Sequence, residues 1–289
     1  MQIPALTAAR KMGLKVYAAD VNDKAPGISL AHEFLHVDLR NREEMAEAAA
    51  AIARSGGLHG VFTAGTDFST TVAWVAEKLG LPGISYETAL NATDKARMRG
   101  VFSRAGIPSP PFCLVEGTAD NLPEADLPPL PVVVKPVDNM GARGIRRIDN
   151  RDDLGEAVTA ALAFSGSRRC IVEGYIPGPE FSIDSLVYRG RITVCGFADR
   201  HIVFPPCFVE MGHTIPSVLD DKTRDRIVEV FTAAALALGI DNGAAKGDVK
   251  LSPEGPVIGE IAARLSGGYM SGWTYPYASG VPLTEAALR

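Results

Sequence analysis

Three consecutive valines running into a lysine and a proline constrain this chain more than any other stretch. Pro131 to Val134 has the β-branched composition of a buried strand. It delivers Lys135 to the strand's end, where Pro136 blocks further regular pairing. Asn139 to Gly144 then forms a small-residue loop with glycines at 141 and 144, and Ile145 to Ile148 can resume a strand. A lysine followed by a glycine loop between two strands is one way to hold a polyphosphate. The lysine supplies a point charge, and the glycines let backbone N–H groups come close. An ordinary hairpin turn has the same composition, so the reading depends on what lies before and after it.

The bulk properties narrow the field. The 289 residues suffice for one large or two to three small domains, and 46% of them are apolar, so a sizeable core can be buried. A net charge of -5 supplies no basic field for general nucleic-acid or membrane-surface binding. No run reaches the roughly 18 apolar residues that span a bilayer, and Met1 to Met12 lacks the apolar core of a signal peptide. Cys113, Cys170, Cys195 and Cys207 are scattered without CxxC spacing. They read as free thiols, and the protein as cytoplasmic.

Residues 1 to 93 alternate between helix and strand. Gln2 to Met12, Glu43 to Arg54 and Phe68 to Leu79 read as helices, and Leu14 to Ala19 and Gly60 to Ala64 as strands. Such β/α alternation implies a parallel sheet covered by helices. The chain opens on a helix with no strand or glycine turn before it, so a missing first strand or a degenerate unit is expected. Two decoys lie here. His32-Glu33-Phe34-Leu35-His36 matches the H-E-x-x-H zinc pattern, but that chemistry needs a helix, and Phe34 to Leu39 reads as a strand. Asp20 ends a strand where a dinucleotide ribose partner can sit, but no G-x-G-x-x-G precedes it.

Further on, Thr93 or Asp94 caps a helix that runs to Gly106, and a stiff Ile-Pro-Ser-Pro-Pro connector follows. Another helix covers 152–164. Cys170 to Val187 reads as a strand, a Pro/Gly turn and an alternating strand, with Glu173 and Glu180 flanking the turn. Pro205 to Pro216 reads as an irregular pocket wall holding Glu210 and His213. Asp220 to Leu238 is a long amphipathic helix. The turn from Ser252 to Gly255 joins two strands on which Asp248 and Glu260 fall side by side. Two carboxylates that close repel unless a cation lies between them, and Mg²⁺ takes one or two protein carboxylates plus phosphate oxygens. The chain stops at Arg289, just after a helix start, so a shortened C-terminus is also expected.

In this order and spacing the segments resemble the ATP-grasp ligases. Asp94-Lys95-Ala-Arg-Met-Arg is similar to the family's first nucleotide-lysine segment, and Val-Val-Lys135-Pro with its glycine loop to the second. Val172-Glu173-Gly-Tyr-Ile with Glu180 resembles the hinge. Asp248-Val-Lys-Leu and Glu260-Ile-Ala-Ala-Arg264 resemble the strand pair that carries metal ligands and an arginine. The resemblance implies an α/β fold: a pre-ATP-grasp, Rossmann-like parallel sheet over 1–93, then the two α+β subdomains of an ATP-grasp fold over 94–289. The smaller of these would span about 111–187 and the larger about 188–289.

It further implies ATP as substrate with Mg²⁺, or Mn²⁺, and an acylphosphate formed from a carboxylate and displaced by an amine. In that scheme Lys95 and Lys135 neutralise the α- and β-phosphates, and the loop with Asn139, Gly141 and Gly144 closes over them. Glu173, Tyr175 and Ile176 line the adenine, and Glu180 holds the ribose. Asp248 and Glu260 hold the metal, and Arg264 and Lys135 act on the transferring phosphoryl. Glu210, His213 and Arg264 are the substrate candidates, with Glu210 meeting an ammonium group and Arg264 a carboxylate. Biotin carboxylases match poorly, because their basic run is not visible after residue 198; the amino-acid ligase and carbamoyl-phosphate-synthase-like branch matches better. Small carboxylate and amine substrates and a homodimer fit the resemblance; nucleic acid and membranes do not. The family commonly has Glu-x-Asn where this chain has Glu260-Ile-Ala262, and Glu where it has Asp248. One metal ligand is therefore missing, which keeps a non-catalytic ATP-binding protein as the alternative, beside a carboxylase or carbamoyl-phosphate-type enzyme.

Overall fold

The computed structural model describes residues 2–289. The N-terminal part holds helix α1 (Ile3–Lys11), strands β1 (Tyr17–Asp20) and β2 (Glu33–His36), and helices α2 (Arg42–Gly56), α3 (Ser69–Leu79) and α4 (Tyr86–Asn91). Among the described residues the expected parallel sheet is present but contains only β1 and β2. Gly60 to Ala64, expected as a strand, is irregular. Ala64 makes an isolated bridge with Leu265, and Gly65 N–H donates to the Leu265 carbonyl at 3.2 Å. The segment's backbone partner is therefore a loop from the far end of the chain rather than the local sheet. The H-E-x-x-H residues lie on β2 and its approach. His32 Nδ1 accepts from Val16 N–H and His36 Nε2 sits 3.0 Å from the Val21 carbonyl, so the helix that pattern requires is not there.

Helix α5 (Lys95–Ala105) leads into a four-stranded antiparallel sheet made of β3 (Phe112–Glu116), β4 (Val132–Pro136), β5 (Arg146–Ile148) and β6 (Arg169–Gly174), in the order β3-β6-β4-β5. Helix α6 (Leu154–Phe164) backs this sheet. Side chains alternate along a strand, so Val132 and Val134 pack into a core with Ala157, Val158 and Ala161, while Val133 and Lys135 face the other way.

A second, five-stranded antiparallel sheet comprises β7 (Glu180–Tyr188), β8 (Arg191–Val203), β9 (Val209–Thr214), β10 (Asn242–Ser252) and β11 (Gly255–Ala262), in the order β11-β10-β7-β8-β9. Helix α7 (Asp221–Ala237) and α5 cover one face. Phe181, Ile183, Val249, Ile258 and Ile261 interlock there with Met98, Phe102, Ile227 and Phe231. Two sequence expectations change here. Val209 to Thr214 is an ordered edge strand paired to β8, not irregular chain, because Val209–Glu210 and Gly212–His213 find backbone partners on β8. The strand from Glu180, assigned from sequence to the smaller subdomain, is hydrogen-bonded between β8 and β10 in the larger sheet. Among the described residues no helix is long and apolar enough to cross a membrane.

Candidate functional site

The two helix-backed sheets turn their polar faces toward one cleft of about 560 Å³. Its walls include Lys135 from one sheet, Tyr175 and Ile176 just after its strand β6, and Glu180, Arg200, Asp248 and Glu260 from the other sheet, with Gly141 and Arg264 also lining it. The alternation that sends Phe181, Ile183 and Val249 into the core sends Glu180, Ser182, Asp184, Lys246, Asp248 and Lys250 to the opposite face.

Lys95 reaches the cleft because its helix starts beside it. Asp94 caps α5 through Ala96 and Arg97 N–H at 2.8 and 3.0 Å and pairs with Arg169, while Lys95 N–H donates to the Val137 carbonyl at the end of β4. The buried Lys95 ammonium donates to the Asn139 carbonyl at 2.9 Å and lies 3.6 Å from Glu260 Oε1. One helical turn on, Arg99 is also buried. It pairs with Glu173 at 2.6 Å and donates to the Gly259 carbonyl at 2.5 Å. Lys135 Nζ lies 2.5 Å from the other Glu173 oxygen. Glu173 is thus a buried counter-ion whose side chain is fully occupied, and only its backbone is available to a ligand. Burial would raise the Glu173 carboxyl, but Arg99 and Lys135 outweigh it and hold it below the usual range.

Asp248 and Glu260 are direct cross-strand partners, with a bulge following Asp248. Burial pushes the Glu260 carboxyl up, and the surrounding Lys95, Lys246, Lys135 and Arg264 bring it down to about 2. Asp248 is ion-paired to Lys246. Its Oδ1 lies 2.9 Å from the Arg200 guanidinium but forms no hydrogen bond, which leaves a buried acceptor with coordination capacity. Two carboxylates side by side facing a cleft, one with an oxygen that makes no hydrogen bond, suit one hard divalent ion such as Mg²⁺. Among the described residues no group of three or more His, Cys, Asp and Glu side chains has a metal-holding arrangement.

Arg200 is the hub of the larger sheet. It pairs with Glu180, Glu210 and Asp248, and its cross-strand neighbours are Glu180 and His213. His213 Nε2 is 2.8 Å from Glu210 Oε1. Desolvation pushes the Glu210 carboxyl up, but His213 and Arg200 hold it at about 2. Glu210 and His213 therefore form one charged cluster at the cleft's edge. The Tyr175 ring stacks on Phe208, with centroids 6.1 Å apart, and Arg147 lies 4.2 Å over it.

Two expected loop contacts lie elsewhere. The Asn139 amide turns away to donate to the Phe164 carbonyl at 2.9 Å, so this residue meets the cleft through its carbonyl and Lys95. Gly144 is packed behind the loop, where an added Cβ would sit 2.9 Å from Phe164, because a positive φ of 75° folds it onto α6. Sequence reasoning missed Arg99, Arg200, Lys246 and Lys250. Helical spacing from Lys95 pointed to Arg99, and strand alternation around Asp248 pointed to Lys246 and Lys250. No local signal marked Arg200, whose partners come from three other strands.

The cleft lies between two antiparallel sheets, with Lys135 on one wall and Lys246, Lys250 and the cross-strand pair Asp248–Glu260 on the other. The ATP-grasp domain family matches residues 128–272 and the ATP-grasp N-terminal domain matches residues 6–83. The chain belongs to the ATP-grasp family. It is 26% identical to carnosine synthase 1 of Gallus gallus over 290 residues, covering 92% of this chain and 31% of that protein. It is also 26% identical to alanine–anticapsin ligase of Bacillus subtilis, covering 91% of this chain and 62% of the relative. The chain thus spans between about a third and three fifths of the length of these curated relatives. The crystal structure of L-amino acid ligase from Bacillus licheniformis superposes with a TM-score of 0.85 at 27% identity, covering 99% of this chain and 70% of that one.

Proposed function

We propose that this chain is the ATP-binding part of an ADP-forming ligase that joins an amino-acid-type carboxylate to an amine. The observation that carries the proposal is one cleft holding Lys135, Glu180, Asp248, Glu260 and Arg264, with Lys95 against Glu260 and the Glu210–His213 cluster at its edge. The similarity to an L-amino acid ligase and to alanine–anticapsin ligase supports it. In domain terms, 1–93 is the N-terminal unit and 94–289 the ATP-grasp unit, with the strand from Glu180 reassigned to its larger half.

Phosphoryl transfer needs positioning and charge neutralisation more than a protein nucleophile. Adenine lies along the Glu173–Ile176 backbone beside Tyr175 and Phe208, and Glu180 accepts from the ribose hydroxyls. Lys95 and Lys135 neutralise the α- and β-phosphates. The 139–144 loop closes over them and keeps water from the acylphosphate. Asp248 and Glu260 would hold Mg²⁺, which would supply positive charge to neutralise the phosphates. Arg264 orients the carboxylate and steadies charge on the transferring group, and Glu210 receives the ammonium group.

The test is ADP release measured across panels of carboxylates and amines. Stimulation by a matched pair, absent with either member alone, supports the reading. Tight ATP binding with no stimulating pair overturns it.

A further inference from the structure

Asp184 is a fully buried acid with no part in the site described so far. It lies on β7 two residues after Ser182, on the face that turns to the cleft. One of its oxygens accepts from Ser266 N–H at 2.9 Å, and the other, Oδ2, is buried without a hydrogen-bond partner. The Ser266 hydroxyl is near enough to draw the Asp184 carboxyl down, but it is not aligned for a hydrogen bond and is itself buried and unbonded. Ser266 lines the cleft two residues after Arg264. A carboxylate this deep with an empty oxygen lowers stability once ionised, so stability does not explain its presence.

The groups packed around Asp184 are Lys246 from β10, Gly196 and Cys195 from β8, Arg264 and Ser266 from the loop after β11, and Tyr275 of helix α8 (Tyr275–Ser279). Burial lifts the carboxyl to about 6 against the pull of Ser266, Lys246 and Arg264. It is therefore ionised at neutral pH, yet a much better proton acceptor than Glu210, which His213 and Arg200 hold at about 2. An amine meeting an acylphosphate arrives as ammonium and has no free lone pair until it loses a proton. Glu210 can hold that cation but is too acidic to deprotonate it.

We propose that Asp184, acting through the Ser266 hydroxyl, takes the proton that frees the amine. The ammonium gives a proton to Ser266 Oγ as the hydroxyl proton passes to Asp184 Oδ2. The nitrogen lone pair then bonds to the acyl carbon. The bond from that carbon to the phosphate oxygen breaks, and phosphate leaves with the electron pair and the nitrogen's second proton. Asp184 returns its proton to solvent as product departs. The proposal rests on the ligase reading above and adds to it the residues that activate the nucleophile.

Hydroxylamine tests it, because it is largely uncharged at pH 7 and captures acylphosphates without a base. The full chain is assayed with ATP, Mg²⁺ and the common amino acids, with either hydroxylamine or the stimulating amine. Asp184→Asn should lower amide formation about 10²-fold, the usual scale of a general base, and leave hydroxamate formation unchanged. The fall in kcat below about pH 6 in the wild type should vanish in this variant. Ser266→Ala, which loses only the hydroxyl and keeps the N–H, should show the same selective loss. Equal losses with both nucleophiles would make Asp184 structural and overturn the proposal. So would normal amide formation in Asp184→Asn, or a selective loss in His213→Gln alone, which would give the proton to His213. A wild type that forms neither hydroxamate nor amide would instead sink the ligase reading, and this proposal with it.

Discussion

Arg99 and Glu173 form an ion pair at 2.6 Å with 0% and 2% of their side-chain surfaces exposed, joining helix α5 to the four-stranded sheet beneath the cleft. Lys135 shares the same carboxylate. Removing one member leaves a buried charge short of its partner, so Arg99→Met should cost about 3–5 kcal/mol. Burial opposes ionisation of Glu173, but the two cations depress its pKa overall. Its contribution to stability is therefore present above the unfolded carboxylate pKa and is lost as pH falls through the folded value. Urea unfolding should show a large gap between wild type and Arg99→Met at pH 7 that narrows at pH 3, where Glu173 can take up a proton. A gap of the same size at both values would contradict this account.

Lys135 acts on the other side of that carboxylate and faces the cleft. Lys135→Met should lower turnover by about 10²-fold, as expected for losing one preorganised charge at a phosphoryl group. Stability should fall less than in Arg99→Met, because Glu173 keeps Arg99, the more deeply buried of its two partners. The exposed Lys24→Met serves as control and should change neither. Steady-state kinetics with the active substrate pair, read beside urea midpoints, separates the two effects.

Asp184 titrates in the opposite sense. Burial lifts its carboxyl to about 6, against the pull of Ser266, Lys246 and Arg264. A carboxyl raised on folding is easiest to bury when protonated, so its ionisation lowers stability as pH rises from about 4 to 6. Asp184→Asn keeps an oxygen for Ser266 N–H and removes the charge. The variant should therefore gain on the wild type by up to about 3 kcal/mol between pH 4 and pH 7. Urea midpoints compared across that range check this, and a pH-independent difference would refute it.

The glycine loop offers a paired test. Gly141 and Gly144 both have positive φ, 69° and 75°, but an added Cβ meets nothing at 141 and meets Phe164 at 2.9 Å at 144. Gly141→Ala should cost about 1 kcal/mol, the left-handed penalty alone. Gly144→Ala adds an overpacking cost of about 1–3 kcal/mol and should also raise hydrogen exchange in α6. Equal losses at the two positions would mean that the Phe164 contact does not hold the loop.

Much of this was legible in the chain itself. Val132 to Pro136, the cap at Asp94 and the hairpin around Ser252–Gly255 are local patterns, and each appears where the sequence puts it. The register that places Asp248 opposite Glu260 follows from a tight turn and strand alternation, both short-range. Local rules failed where a partner comes from far away. Gly60 to Ala64 has strand composition but pairs with Leu265, about two hundred residues on, and Val209 to Thr214 lies in a proline-bounded stretch but pairs with β8.

Local sequence pattern alone put Lys135, Asp248 and Glu260 on one side of their strands, because strand periods are set within a few residues of each atom concerned. Tertiary structure decided what those charges do. It made Glu173 a buried counter-ion rather than an open ligand, gathered Glu180, Glu210 and Asp248 onto the single guanidinium of Arg200, and set Lys246 beside the methyl of Ala262. The physical reason is that a charge's partner is fixed by distance in space and by local desolvation, and both are properties of the packed sheets rather than of any one segment.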